Sequence, residues 1–167
     1  MKTLEEKQKL AQDTLERLLG DYKTASLATS DQNGIASVSY APVAVDREKN
    51  FYLFVSELSE HTSNLLTNPS LSLMLIEDES RSDQLFARAR LTLKGTAREI
   101  ARDSEEWDSA SRVYGERFGK FFDQLATLKD FHMFCLVPQS ARVVVGFGAA
   151  FEIQLPGWGK LELLTGK

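Results

Sequence analysis

Cysteine and histidine are both scarce in this sequence of 167 residues. A single cysteine, Cys135, excludes an internal disulfide bond and any metal site built from several cysteines. It lies in the apolar run FHMFCLV, which is typical of a buried and unreactive thiol. The two histidines, His61 and His132, show no spacing that indicates a shared metal ion, so no metal site is expected.

Long apolar runs and an excess of positive charge are also missing. No apolar run approaches the length of a membrane span, and the charged start MKTLEEKQKLAQ lacks the apolar core of a signal peptide. The net charge of -4 argues against a surface for nucleic acid or anionic lipid, because both ligands need a basic face. We therefore expect a cytoplasmic protein with no nucleic-acid or membrane partner.

Standard catalytic motifs are absent as well. The sequence has no glycine-rich phosphate loop, no G-x-S-x-G elbow and no H-E-x-x-H helix, so it indicates no catalytic nucleophile or general base. The composition, with 43% hydrophobic and 26% charged residues, is that of a soluble globular protein. We expect one domain over residues 1–167, with an N-terminal helix over 1–20 and a barrel with helical insertions over 24–154.

Local signals in the first third of the chain predict one helix followed by strands. Residues 3–19 have leucines at helical spacing, with a capping box at Thr3-x-x-Glu6 and a stop at Gly20. The strands TASLATS and IASVSYAPVAV flank an Asn-Gly turn, which predicts a hairpin, and the second strand is expected to end or bulge at Pro42. A third strand is FYLFVS.

The rest of the chain mixes helices and strands, which favours an α+β barrel over a parallel sheet. The predicted elements are a short helix beginning at Ser59, strands over 71–77 and 85–100, and a helix over 103–128 that breaks near Gly115–Gly119. The apolar stripe of the last helix consists of Phe118, Phe121, Phe122, Leu125 and Leu128. Two final strands are expected to meet at Pro138, and Gly146 and Gly148 mark a bulge or the close approach of a ligand or another backbone.

Two pairs of residues are candidates for binding an anion. Arg88 and Arg90 alternate along the predicted strand, so they point the same way as Thr92 and Lys94 and could clamp a phosphate or propionate. Ser59 and His61 lie at a helix start, where free N–H groups suit a phosphate or carboxylate. The alternatives are a solvated strand face and an ordinary helix cap.

Asp130 and His132 form a third candidate, because they flank Phe131 and share a face at strand spacing. A carboxylate beside an imidazole can orient it or raise its basicity. The alternative is a surface pair. From the residues alone, we expect a ligand-binding barrel whose ligand is unspecified.

Six segments resemble, in their order, the HugZ/HutZ haem-utilisation family. They are SLATSDQNGIASVSYAP, SELSEHTSNLLTNPSLSLMLIEDE, QLFARARLTL, RDSEEW, YGERFGKFFDQLATLKDF and VVVGFGAAFEI. The resemblance implies an α+β split β-barrel of the pyridoxamine 5′-phosphate oxidase superfamily, with Greek-key-like antiparallel strands and peripheral helices. It also implies a homodimer whose relatives bind FMN in the dimer cleft, and a role in binding or breaking down haem.

The resemblance further assigns individual residues. His61 and Arg90 match positions near the family's cleft, and Asp130 matches an acidic residue that hydrogen-bonds the haem-ligating histidine across the dimer. In the family that histidine lies near the C-terminus, whereas the end of this sequence, LELLTGK, has no histidine. The resemblance therefore leaves the haem ligand of this chain unassigned.

The oxidases of the superfamily hold the FMN phosphate with an R-x-V-L-L-K strand and an S-R-K helix start. Here Ser39 and Tyr40 open the corresponding strand, and Ser59-Glu60-His61 stands at the helix start, so the basic residues are missing. Oxidation of pyridoxamine phosphate is therefore not expected. The residues that would hold FMN are Ser39, Tyr40, Ser59, His61, Arg88 and Arg90.

These observations lead to three hypotheses for the function. The first, which the sequence analysis favours, is an FMN-dependent oxidoreductase of the haem-utilisation subfamily. The second is a haem-binding or haem-degrading protein, in which Asp130 tunes the iron ligand and Arg90 pairs with a propionate. The third is a cofactor-binding or carrier module without catalysis.

Overall fold

The computed structural model describes residues 3–165, which form four α-helices and eight β-strands. The helices are α1 (Leu4–Asp21), α2 (Glu60–Thr67), α3 (Glu105–Phe118) and α4 (Lys120–Ala126). The strands are β1 (Thr24–Ser30), β2 (Ala36–Val45), β3 (Phe51–Ser56), β4 (Ser70–Ile76), β5 (Arg90–Ile100), β6 (Phe131–Val144), β7 (Ala150–Ile153) and β8 (Leu161–Leu163). Two 3₁₀ turns, Glu79–Arg81 and Leu85–Ala87, lie between β4 and β5.

The strands form one sheet in the order β3-β2-β1-β4-β5-β6-β7-β8. An additional pairing of β3 with β6 joins the two ends of the first six strands, which is the connectivity of a closed barrel. The pairings β1–β2, β2–β3, β3–β6, β6–β7 and β7–β8 are all antiparallel. The predicted α+β split-barrel class is therefore confirmed.

The chain divides into two compact units. Among the described residues, the terminal unit comprises 3–22, 73–94 and 138–165, and the central unit comprises 23–72 and 95–137. The central unit carries the β1–β2 hairpin, β3 and helices α2 to α4, whereas the terminal unit carries α1, β7 and β8.

Aromatic rings fill the core of the central unit. Strand β3 is buried from Phe51 to Val55. It pairs with β2 and β6 along its two edges, and its Tyr52 and Phe54 pack in a cluster with residues of α3 and α4. The Tyr114 hydroxyl accepts a hydrogen bond from the Phe54 N–H at 2.9 Å and donates to the Pro42 carbonyl at 2.8 Å. The rings packed against Phe54 are those of Trp107, Tyr114, Phe122 and Phe131.

The predicted hairpin turn and helix break both occur in the central unit. The Asp31 carboxylate accepts hydrogen bonds from the N–H groups of Asn33 and Ile35, each at 2.8 Å, and Gly34 takes a φ of +80°. Gly119 separates α3 from α4 with φ 65° and ψ -151°, a conformation that is essentially restricted to glycine.

Helix α1 of the terminal unit begins at the predicted capping box. The Thr3 hydroxyl accepts from the Glu6 N–H at 3.2 Å, and the Glu6 carboxylate accepts from the Thr3 N–H at 2.7 Å. Arg17 of the same helix forms an ion pair with Glu77 at 2.9 Å. The residues that α1 buries are Ala11, Thr14, Leu15, Leu18 and Leu19.

Two prolines that were predicted to end strands lie inside them. Pro42 is within β2 and pairs with Thr24 of β1. The donor toward β1 is the N–H of the next residue, Val43, and the pairing of β2 with β3 begins only at Val43, so neither neighbour uses the N–H that proline lacks. Pro138 is within β6, between a pairing with β3 that ends at Leu136 and a pairing with β7 that begins at Ala141. Both predictions were wrong because a proline breaks a strand only where a neighbouring strand requires a donor.

Several other boundaries also differ from the prediction. Gly20 does not stop α1, which continues to Asp21. Phe121 of α4 is exposed, and so is Leu128, which lies beyond the end of α4 at Ala126, so neither belongs to the buried stripe of the helices.

The last predicted strand and the long strand over 85–100 are each interrupted. Gly146 and Gly148 lie in a turn between β6 and β7 and not in a strand bulge. The Val145 N–H donates to the Ala149 carbonyl across this turn, and the Ala149 N–H donates to the Gly146 carbonyl. Residues 85–87 form a 3₁₀ turn, so β5 begins at Arg90.

Candidate functional site

Ser39 and His61 are brought together within the central unit. Ser39 lies on β2, His61 is the second residue of α2, and the Ser39 Oγ is 2.9 Å from the His61 Nδ1. His61 is 6% exposed. This burial lowers the pKa of its imidazole below the ordinary value, because a charged ring would lose its hydration. His61 is therefore neutral at neutral pH.

The start of α2 carries a negative charge beside this pair. Ser59 occupies the N-cap position, as predicted, but its side chain makes no capping hydrogen bond. The carboxylate of the next residue, Glu60, accepts a hydrogen bond from the Ser37 hydroxyl at 3.0 Å. A carboxylate at this end of a helix competes with phosphate for the same free N–H groups.

Tyr40 faces away from Ser39, because successive residues of a strand point to opposite sides. Its side chain is 71% exposed, and that of Val38 on the same side is 82% exposed. The outward positions of β1 and β2 carry only uncharged residues, and we call this surface the hairpin face. It consists of Thr24, Ser26, Ala28, Ser30, Ala36, Val38, Tyr40 and Pro42.

Arg88 and Arg90, in the terminal unit, have different hydrogen-bond partners. Arg88 precedes β5, and its guanidinium donates to the Glu77 carbonyl at 3.0 Å and to the Glu79 carboxylate at 3.1 Å. Arg90 opens β5 and donates to the Arg88 carbonyl at 3.0 Å. The 3₁₀ turn ends just before Arg88, so Arg88 lies outside β5, and an anion clamp by the two arginines stays a prediction. Of the two side chains, Arg90 is the one without a carboxylate partner among the described residues.

Arg90 lines a cavity of about 350 Å³ in the terminal unit, which we call the basic pocket. The alternation of Arg90, Thr92 and Lys94 on one face of β5 is confirmed there. The pocket is lined by Arg90, Thr92, Lys94, Ser140, Ala141, Arg142, Val144, Ala150 and Glu152. The sequence did not identify Arg142 as a candidate, because no local pattern shows that β6 lies beside β5.

Asp130 and His132, in the central unit, have different partners from those predicted. The Asp130 carboxylate accepts a hydrogen bond from the Ser56 hydroxyl at 2.8 Å. His132 Nδ1 is 2.6 Å from the Glu99 carboxylate, and its Nε2 is 2.8 Å from the Glu57 carboxylate. Partial burial opposes protonation of His132, but the two carboxylates outweigh burial and raise its pKa. The carboxylates that hold His132 are thus Glu57 and Glu99, contributed by neighbouring parts of the fold.

The cysteine and the possible metal ligands add no further candidate site within residues 3–165. Cys135 is buried, as predicted, and burial raises the pKa of its thiol. Within residues 3–165 there is no group of three or more histidine, cysteine, aspartate or glutamate side chains placed to hold a metal ion. Among the described helices, none combines the length and the apolar character that crossing a membrane requires.

Comparison with known proteins gives a consistent set of relatives. The family model described as pyridoxamine 5′-phosphate oxidase matches residues 11–145. Heme oxygenase HutZ of Vibrio cholerae is 44% identical over 131 residues, which cover 78% of this chain and 74% of HutZ. A crystal structure of HutZ, described as a heme storage protein, aligns with a TM-score of 0.77 at 40% identity over 82% of this chain and 97% of that one. ChuZ of Campylobacter jejuni aligns with a TM-score of 0.80 at 28% identity over 92% of this chain and 61% of ChuZ.

Proposed function

Since the chain belongs to the pyridoxamine 5′-phosphate oxidase family, and within it to the HutZ haem-utilisation group, we propose that it binds haem. The observation that carries the proposal is the 44% identity to HutZ over 131 residues. Fold alone would not support a ligand, because one fold serves many functions, so the proposal rests on sequence identity to a protein that is named for haem. We further propose that the protein breaks down the bound haem, which is the activity for which HutZ is named.

FMN, which the sequence analysis placed first, is the less well supported cofactor. HutZ is named for haem both as a heme oxygenase and as a heme storage protein. For FMN the support is membership of the oxidase family, and the basic residues that hold the phosphate in the oxidases are replaced here by Ser39, Glu60 and His61. Glu60 at the start of α2 would further weaken phosphate binding.

His61 fits the requirements of an iron ligand. A histidine ligand must be neutral and must present one ring nitrogen with a free lone pair. Burial keeps His61 neutral, and its Nε2 makes no hydrogen bond to another described residue. When Nδ1–H donates to the Ser39 hydroxyl, as the second nitrogen of a metal-bound histidine usually donates to a neighbour, Nε2 carries the lone pair. We propose that His61 would hold the iron, and that haem would supply the redox chemistry.

His132 does not fit this role. Both of its ring nitrogens lie within hydrogen-bond distance of carboxylates, and its raised pKa favours the protonated form, which has no lone pair. Binding iron would require His132 to lose Glu57 or Glu99 and a proton.

We also propose a homodimer that forms through the hairpin face. Val38 and Tyr40 are exposed apolar side chains on adjacent outward positions of one strand, and an exposed apolar surface of this kind indicates an interaction site. A second copy of the chain suits it, because two uncharged faces can meet across a two-fold axis without opposing like charges.

Titration of the purified protein with haemin, followed by visible absorption, tests the proposed function. We expect a sharp, saturable haem band in the wild type and in His132→Ala, and loss of that band in His61→Ala. Saturable quenching of FMN fluorescence by a protein that gives no haem band would overturn the haem proposal. A haem band that survives in both variants would remove His61 as the ligand.

Addition of ascorbate to the haem complex in air then separates enzyme from carrier. Progressive loss of the haem band with formation of a ring-opened product is the result expected of haem breakdown. A band that persists after reduction and reoxidation would contradict breakdown and identify a carrier.

A further inference from the structure

We propose that the basic pocket recognises the anionic side groups, carboxylate or phosphate, of a small ligand, and that Lys94 and Arg142 determine this specificity. For haem, whose side groups are two propionates, the inference rests on the proposed function. For a phosphate-bearing ligand it stands without that function.

Three cations line the pocket from two strands. Arg90 and Lys94 lie on the same face of β5, and Arg142 lies on β6, the next strand in the sheet. Because a strand rises by about 3.3 Å per residue, the backbone positions of Arg90 and Lys94 are roughly 13 Å apart. The positive charges therefore extend along the pocket, which suits a ligand with separated anionic groups better than a single small ion.

These cations outnumber the carboxylates of the pocket. No ion pair within 4.0 Å joins Arg90, Lys94 or Arg142 to a carboxylate among the described residues. Glu152 lies opposite Arg142 in the β6–β7 register and is the one carboxylate that lines the pocket. Three positive charges against one negative leave an excess of two positive charges in a chain whose net charge is -4. A carboxylate or phosphate of a ligand would supply the missing counter-charge.

The other lining residues fit a ligand that is not wholly charged. Thr92 and Ser140 offer hydroxyl groups that can donate to anionic oxygens. Val144 and Ala150 add a small apolar surface on the same wall. The pocket thus combines anion recognition with contact to an apolar body, as cofactor sites commonly do.

Matched ligands that differ only in their anionic groups test the inference. Haemin is compared with haemin dimethyl ester, and FMN with riboflavin, in equilibrium titrations of the wild type, Lys94→Gln and Arg142→Gln. Lys9→Gln, at an exposed position of α1, is the control for loss of one positive charge. Circular dichroism of each variant checks that the fold is retained.

For at least one pair, we expect the wild type and Lys9→Gln to bind the anionic member roughly tenfold or more tightly than its neutral partner, the scale of a charge-assisted hydrogen bond. Lys94→Gln and Arg142→Gln should each reduce that ratio roughly fivefold or more. A change in the haemin pair identifies propionate as the recognised group, and a change in the FMN pair identifies phosphate.

The outcomes separate the two proposals. Haemin binding in the wild type with ratios that neither pocket substitution alters, in either pair, overturns the inference and leaves haem binding intact. Failure of haemin to bind, together with an FMN ratio that falls in both pocket variants, overturns haem binding and supports the pocket.

Discussion

The Ser39 hydroxyl lies 2.9 Å from Nδ1 of His61, so a neutral hydrogen-bond partner on β2 meets a buried imidazole on α2. The other histidine of the central unit has the opposite environment, because carboxylates of Glu99 and Glu57 lie 2.6 Å and 2.8 Å from its two ring nitrogens. The central unit therefore contains His61, whose lowered pKa disfavours protonation, and His132, whose raised pKa favours it.

The first prediction concerns the order in which the two histidines titrate. We expect the pKa of His61 to lie below the ordinary value of about 6.5 and that of His132 to lie above it. NMR titration of the imidazole C–H signals measures both, with His61→Gln and His132→Gln to assign them. The opposite order of the two midpoints would contradict the environments described for both side chains.

The second prediction concerns stability as a function of pH. Because the pKa of His132 is raised on folding, the stability that its pairs contribute is fully present below about pH 6.5 and is lost as the pH rises through the folded-state pKa. The difference in unfolding free energy between the wild type and His132→Gln should therefore shrink as the pH rises above about 6.5. Urea denaturation at a series of pH values measures that difference.

His61 provides the control for this measurement. Its pKa is lowered on folding, so its contribution is present above about pH 6.5 and is lost as the pH falls. The difference between the wild type and His61→Gln should thus change with pH in the opposite direction. A His132→Gln difference that is constant with pH would show that Glu57 and Glu99 do not hold a charged imidazole.

The sequence predicted those helices, turns and strands that depend on residues close together in the chain. The capping box at Thr3, the Asn-Gly turn before β2 and the apolar run of β3 each depend on residues within one turn or one strand, and each was confirmed. The family resemblance likewise predicted the split barrel, since its motifs span most of the chain.

What the sequence could not predict depends on contacts between distant segments. Pro42 lies within a strand because β3 begins to pair with β2 only at Val43. The Arg88 guanidinium donates to the carbonyl of Glu77, a residue on a different segment. His132 takes its partners from Glu57 and Glu99, although Asp130 lies closer along the chain. The proposed pocket likewise joins Arg142 of β6 to residues of β5, a pairing that no local spacing encodes.

The third prediction uses two glycines near the break between α3 and α4. Gly119→Ala should destabilise the protein by about 1–3 kcal/mol, because φ 65° with ψ -151° is a conformation open essentially only to glycine. Gly115→Ala, inside α3 and with no atom within 4 Å of the added Cβ, should instead stabilise the protein by about 0.5–1 kcal/mol. Thermal and urea unfolding of both variants measure the effects, and equal signs would contradict the assignment of Gly119 as the break.

The fourth prediction concerns the hairpin face. Val38→Asp should convert the proposed dimer to a monomer, because the charge would be buried against its own symmetry copy. Phe147→Asp is the matched control, since Phe147 is also an exposed apolar residue but lies in the turn between β6 and β7, which is not part of the hairpin face. Light scattering coupled to size-exclusion chromatography measures the mass. A wild-type monomer, or a Val38→Asp dimer, would refute the interface.

The last prediction separates the two arginines that the sequence grouped together. Arg90→Ala should weaken haemin binding by about 1–3 kcal/mol, the scale of one charge-assisted hydrogen bond, because Arg90 faces the basic pocket without a carboxylate partner among the described residues. Arg88→Ala should leave haemin affinity unchanged, because its guanidinium already serves the Glu77 carbonyl and the Glu79 carboxylate. The loss of those contacts should appear instead as a lower unfolding temperature. Equal losses of haemin affinity in the two variants would support the prediction that Arg88 and Arg90 clamp one anion together. Unchanged affinity in both variants would show that Arg90 does not contribute to haemin binding.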